Sequence, residues 1–294
     1  MTDTLLPCTC AMHSRRLFTG LLATVGAVAL APALAQDVGG VQGEVGRQSR
    51  AAKLIPAEQL ESAATQQYQQ MLREASAQGA LAPASNPQLQ RLRFIAERII
   101  PFAQPWNGRA AQWRWEVNLL GSQQVNAFCM PGGKIAFYYG ILKKLQLSDD
   151  EVATIMGHEV AHALREHARE RVGKTAVTRG LIEIGSAIFG LGDLGRTVAG
   201  LGGQLLTLKF GREDESEADI VGMDLAARAG YDPAAGITLW QKMLQASQGA
   251  PPEFMSSHPA GDTRIRDIQA KLPKVQPLYR RAARPERNFG PPTA

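Results

Sequence analysis

The sequence predicts an α+β fold, mainly helical, with one small antiparallel sheet. Three observations predict it. Apolar residues recur three and four apart through most of the proline-free stretches, the period of helices with one buried face. From Trp113 to Leu119 the period shortens to two, and two further short runs follow on either side of Pro131-Gly132-Gly133, the signature of strands. A content of 45% hydrophobic and 20% charged residues over 294 positions suits a single core of moderate size.

Residues 1–35 read as a targeting segment. Ser14-Arg15-Arg16-Leu17-Phe18 precedes an apolar run ending at Leu34, and Ala33-Leu34-Ala35 offers a cleavage point before Gln36. This is the build of a signal peptide, and the paired arginines make it of the twin-arginine type. A Sec signal and an uncleaved anchor are the alternatives. The expected product is exported, periplasmic and soluble after cleavage near Ala35. Cys8 and Cys10 leave with the signal, so Cys129 is the one cysteine of the mature chain and no intrachain disulfide forms.

Residues 36–85 divide into a flexible, Gly- and Gln-rich start and a helix from Pro56 to Ala77. That helix carries Leu60, Ala64, Tyr68, Met71 and Leu72 on one face, and Gly79 ends it. The folded domain is expected over 86–273. Asn86-Pro87 supplies N-cap and first turn of the next helix; Leu89, Leu92, Ile95 and Ile99 form its face and Pro101 its stop. Trp113, Trp115, Val117 and Leu119 then alternate with Arg114, Glu116 and Asn118, a half-buried strand. Two more strands, Val125–Met130 and Lys134–Tyr139, flank Pro131-Gly132-Gly133.

Ser148 and Glu151 form a capping box, so a helix starts at about Asp149 and meets no proline before Arg171. Within it lies His158-Glu159-Val160-Ala161-His162. Histidines four apart leave one helix face a turn apart and can grip one Zn2+ at about 2.0–2.1 Å each. Glu159 is placed to take a proton from water at that metal. With 5 histidines in 294 residues, such a pattern arises by chance in roughly one chain in a hundred. His167 is five residues beyond His162, which on a continuous helix turns it away from the ligand face; it reads as a surface histidine.

Gly180 to Leu208 is apolar and glycine-rich, but Glu183, Asp193 and Arg196 interrupt it, too often for a membrane span. Two packed helices, a lid, or a lipid-facing patch making peripheral contact with a membrane are the open readings. Acidic residues crowd the start of the next helix, Glu213 to Asp219, where the macrodipole favours them. Glu215 and Asp219 share a face. This spacing suits one carboxylate that ligates a metal and another that orients a ligand histidine. Asp232-Pro233 caps a helix that turns Ile237, Leu239, Trp240 and Leu244 inward. A last helix from Asp262 is expected to stop at Pro273, leaving 274–294 as a mobile basic, proline-rich tail.

His158-Glu159-Val160-Ala161-His162 followed by Glu215-Ser216-Glu217-Ala218-Asp219 resembles peptidase family M48, the gluzincin metallopeptidases. Asn126-Ala127-Phe128-Cys129-Met130-Pro131-Gly132-Gly133-Lys134-Ile135 and Ser257-His258-Pro259 with Arg264-Ile265 resemble further segments of that family. The resemblance covers about Pro87 to Leu272. It implies a zincin-like fold with the sheet beside the zinc helix, and one Zn2+ per chain on His158, His162 and Glu215, the first acid of its run. It implies Glu159 as base and places the His258 loop near the metal. There His258 either steadies an oxyanion, fills the metal's open position at rest, or is a loop histidine bonded to backbone. Asp219 would orient a ligand histidine. Arg264 would pair with the acidic helix or sit on the surface. In this family an edge strand pairs with substrate, and unpaired edge groups suit an extended peptide. Asn126, Ala127, Phe128 and Cys129 are therefore expected to line the cleft unless the protein's own loop covers that edge.

The expected function is zinc-dependent endoproteolysis of polypeptides, misfolded or unassembled envelope proteins among them. A zinc-containing chaperone-like assembly factor with low or gated proteolysis is the alternative. A net charge of +5 without a basic, aromatic-studded stripe argues against nucleic-acid binding.

Overall fold

The computed structural model describes residues 40–178, 205, 208–247, 252–258 and 262–293. The signal-peptide reading of residues 1–35 falls outside them, as does the apolar stretch 180–208 apart from Leu205 and Leu208. Among the described residues, no helix is long and apolar enough to cross a membrane.

Among the described residues the α-helices are α1 (Ala57–Ala77), α2 (Pro87–Ile99), α3 (Tyr139–Lys144), α4 (Asp149–Leu164), α5 (His167–Thr178), α6 (Arg212–Arg228), α7 (Ala235–Ala246), α8 (Glu253–Ser257) and α9 (Asp262–Arg281). The strands are β1 (Glu116–Leu120), β2 (Ala127–Met130) and β3 (Lys134–Tyr138). Local chemistry sets the helix starts. The Asn86 carboxamide oxygen accepts from the N–H groups of Gln88 and Leu89 at 2.9 and 3.2 Å. Ser148 and Glu151 cap one another's backbone at 3.2 and 2.8 Å.

The sheet is mixed, where an antiparallel one was expected. Its order is β1-β3-β2, with β2 antiparallel and β1 parallel to β3. The turn Pro131-Gly132-Gly133 makes β2 and β3 a hairpin, and both glycines have positive φ, 83° and 76°, which glycine adopts without strain. β1 must then lie on the far side of β3, and the segment after it crosses over. Both sheet faces are covered. Val117, Leu119, Ile135 and Phe137 join the main core with α2, α4 and α6, while Leu120, Met130 and Ala136 pack with α1. Asn118 is therefore buried rather than exposed; its amide donates to the Tyr68 hydroxyl at 3.0 Å, and that hydroxyl donates to the Ile135 carbonyl at 2.5 Å. The outer edge of β1 is taken by residues 80–82, through Ala82 N–H to the Leu119 carbonyl at 3.0 Å and Gly121 N–H to the Ala80 carbonyl at 2.6 Å.

α4 runs through the middle of the core, and every residue from Glu151 to Leu164 is buried. A helix surrounded on all sides carries small and apolar residues all round. α6 crosses it at Gly157 and Gly222. A Cβ on Gly157 would lie 2.6 Å from the Gly222 carbonyl oxygen, and one on Gly222 would lie 2.7 Å from the His158 nitrogen. Two backbones in direct contact bring the acidic start of α6 within reach of the α4 histidines.

Four expectations give way. α4 ends at Leu164, because Glu166 turns the chain with φ at 59° and α5 starts afresh at His167. Gly40 to Leu54 forms two short 3-10 turns against the domain rather than a loose start, with Val41 fully buried and its N–H bonded to Asp224. α9 continues through Pro273 and Pro277 to Arg281. The apolar spacing of Ile268, Val275 and Leu278, all buried, holds the helix on the core while Pro273 faces outward. The chain beyond then returns to the body, where Phe289 N–H donates to Asp149 at 2.7 Å and its ring meets Phe94. Leu244, expected inward on α7, is 36% exposed.

Candidate metal centre

His158 and His162 project from consecutive turns of α4 towards the first turns of α6. The two Nε2 atoms are 3.0 Å apart. Glu215 brings its carboxylate to 3.5 Å from each. From the end of α8, His258 adds Nδ1 at 3.3 Å from His158 Nε2 and 3.0 Å from Glu215 Oε1. All four residues are buried, and their donor atoms lie within 4.8 Å of one another. Four donors at about 2.0–2.1 Å from one ion stand roughly 3.3 Å apart when arranged as a tetrahedron, so the spacing fits a small divalent cation. The pocket is walled by Phe210, stacked on His162 at 4.0 Å, and by Phe254, stacked on His258 at 4.5 Å.

Glu159 is buried beside this set. Its Oε1 has no hydrogen-bond partner and lies 3.5 Å from His258 Nε2. A buried carboxylate oxygen left unbonded at the mouth of a donor cluster is available to a water or a reacting group. Burial raises its affinity for a proton above the ordinary carboxylate range, against the pull of His258 and His158. Burial would raise Glu215 as well, but hydrogen bonds from His162 and His258 hold it far below that range. Burial pushes His162 well down. A neutral imidazole and an anionic carboxylate are the forms that ligate a metal. For His258 burial again works against the charged form, and the nearby Glu159 and Glu215 outweigh it, so its affinity for a proton rises.

Asp219 Oδ1 sits 3.0 Å from His158 Nδ1. Arg264 donates to Asp219 at 2.6 and 2.7 Å and to Glu215 Oε2 at 2.7 Å. Its guanidinium also lies over the Trp240 ring, 3.7 Å from the centroid. Arg264 thus pairs with the acidic helix, the first of its two expected placements. Burial would raise Asp219, yet Arg264 and His158 keep it below its usual range.

His167 departs from expectation. It is buried, with 2% of its surface exposed. Its Nδ1 is 2.9 Å from His162 Nδ1, and its Nε2 is 3.1 Å from Glu217 Oε2, which Arg165 Nε holds at 3.0 Å. The surface placement assumed an unbroken helix; the left-handed turn at Glu166 swings residue 167 back over His162. No glycine, proline or asparagine at 165–166 signals that break. The bond from His167 to Glu217 depends on the same break.

Ala127, Phe128 and Cys129 lie on β2, the edge strand nearest α4, and Asn126 immediately precedes it. The Tyr138 N–H bonds to the Asn126 carbonyl at 3.0 Å. In an antiparallel pair this sets the alternation, so the backbone groups of Ala127 and Cys129 point away from β3. Phe254 N–H, on the segment that carries His258, bonds to the Val125 carbonyl at 3.0 Å just ahead of this edge.

A model of peptidase family M48 matches residues 86–272. The Schizosaccharomyces pombe protein named mitochondrial metalloendopeptidase OMA1 is 31% identical over 199 residues, which is 67% of this chain and 56% of that protein. Its Arabidopsis thaliana namesake is 39% identical over 150 residues, 51% of this chain and 30% of that protein. Metalloprotease LoiP of Escherichia coli is 27% identical over 206 residues, 69% of this chain and 78% of that protein. The chain thus spans little more than half of these mitochondrial relatives at most. The matched residues contain both the paired histidines of α4 and the acidic start of α6, and on that match the chain belongs to peptidase family M48, a family of metal-dependent peptidases.

Proposed function

We propose that this chain is an exported zinc-dependent endopeptidase holding one Zn2+ on His158, His162 and Glu215. The observation that carries the reading is the buried donor set at tetrahedral spacing with an unbonded Glu159 oxygen beside it. When bound, Zn2+ supplies the Lewis acidity that makes a water nucleophilic near neutral pH and polarises the peptide carbonyl. Glu159 takes a proton from the attacking water and delivers it to the leaving amine. Burial suits it to that shuttle, since a raised proton affinity brings a carboxyl nearer to working pH. Asp219 and Arg264 hold His158 and Glu215 in place. The outward backbone groups of Ala127 and Cys129 pair with an extended substrate.

The position of His258 favours a gated form of this reading. Its Nδ1 stands where a fourth ligand would, so the resting site is closed and substrate must displace the short helix α8. Polypeptides are the substrates, envelope proteins that are misfolded or unassembled in particular, and the periplasm is the compartment implied by residues 14–35. The Escherichia coli relative named beta-barrel assembly-enhancing protease, 25% identical over 170 residues, supports an envelope role.

The test compares purified wild type with Glu159→Gln and His258→Ala. Glu159→Gln should keep the metal stoichiometry and lose roughly 10²–10⁴-fold in casein cleavage. His258→Ala should cleave faster than wild type. A metal-loaded Glu159→Gln protein that cleaves at the wild-type rate would refute the role of Glu159.

A further inference from the structure

We infer that His167 and Glu217 form a relay that fixes the ring of His162 in its ligand tautomer, with His167 as a positioning residue. The inference deepens the zinc reading and rests on it. His162 can ligate through Nε2 only if its proton sits on Nδ1. That N–H points at His167 Nδ1, 2.9 Å away, which must then be the acceptor. His167 therefore carries its own proton on Nε2, and that proton faces Glu217 Oε2 at 3.1 Å. Arg165 donates to both Glu217 oxygens, at 3.0 and 3.3 Å, which keeps the carboxylate an acceptor. Every hydrogen bond in the chain has one allowed direction, and Glu217 sets it. Reversing His167 would put a proton on His162 Nε2, pointing into the donor set.

Geometry explains why a relay is needed. Glu215 and Asp219 are four apart on α6 and face α4. Glu217 is halfway between them in sequence and leaves the helix on the other side. An imidazole spans the gap, and the turn at Glu166 delivers it. Glu166 itself is tied to Arg169 at 2.8 and 2.9 Å. All three acids of Glu215-Ser216-Glu217-Ala218-Asp219 then serve the metal centre: one as ligand, one on His158, and one through His167 on His162.

The experiment measures zinc affinity of the full chain by chelator competition and melting of the metal-free protein. His167→Leu should weaken zinc binding about 10–100-fold, the usual cost of losing such a partner, and Glu217→Ala should weaken it in the same direction. His167→Asn, whose side-chain oxygen can still accept from His162 Nδ1, should recover most of the loss. Metal-free melting temperatures of Glu217→Ala and wild type should agree within a few degrees. Wild-type zinc affinity in both His167→Leu and Glu217→Ala overturns the relay. So does a His167→Asn protein as weak as His167→Leu. Should His167→Leu fail to fold, Glu217→Ala decides alone, since its side chain is 25% exposed and its removal opens no core. A wild-type chain without zinc affinity overturns the metal reading itself, a result distinct from the others.

Discussion

The two α4 histidines receive the same service by different routes. His158 meets a carboxylate directly: Asp219 lies one turn along α6 from Glu215, the proposed ligand, and Arg264 clamps both. His162 meets its carboxylate through an intervening imidazole and a break in the polypeptide helix. The direct arm follows from helical period alone, because residues 158 and 162, and 215 and 219, are each four apart. The relayed arm depends on a left-handed residue that no local propensity announces. Regular spacing transmits to the sequence; an irregular turn imposed by tertiary contacts does not.

The largest effect should come from breaking the direct arm at its cation. Arg264 is 6% exposed and faces two carboxylates. Arg264→Leu leaves Asp219 and Glu215 buried without it. Removing one partner from a buried charge group costs about 3–5 kcal/mol, measurable as a loss of denaturation midpoint in metal-free protein. Zn2+ restores positive charge to the same carboxylates, so the loss should be smaller in zinc-loaded protein. An equal loss with and without zinc would mean that Arg264 acts by packing on Trp240, not by charge.

The frame common to both arms is next. Gly157→Ala drives a methyl group into the Gly222 carbonyl at 2.6 Å. Overpacking of this kind costs about 1–3 kcal/mol, and by parting α4 from α6 it should weaken zinc binding through both histidines at once. Stability lost without any loss of metal affinity would show that the site tolerates a shifted α6.

Much of this arrangement was legible beforehand. The capping box at Ser148 and the helical spacing of Leu89, Leu92, Ile95 and Ile99 report local physics, and the structure repeats them. The mixed sheet was not legible, since strand period gives faces but not the direction of a neighbour joined by a crossover. Pro273 misled because a helix stop is a local cost of about 3 kcal/mol, and burial of Val275 and Leu278 beyond it offsets that amount. His167 is the least legible of all, since helical period orients it on a helix that ends three residues earlier.

The smallest expected effect sharpens the relayed arm. Glu166 holds φ at 59°, which costs a side-chain-bearing residue about 1 kcal/mol. Glu166→Gly removes that strain and also removes the pair with Arg169, a partly exposed ion pair worth about 0–1 kcal/mol. The net change in stability should fall within about 1 kcal/mol of zero, with zinc affinity unchanged, because glycine keeps the left-handed turn that places His167. Glu166→Pro cannot adopt that φ and should lose zinc affinity to the level of His167→Leu. If proline at 166 left the affinity of wild type intact, the ring of His167 would not owe its place over His162 to this turn.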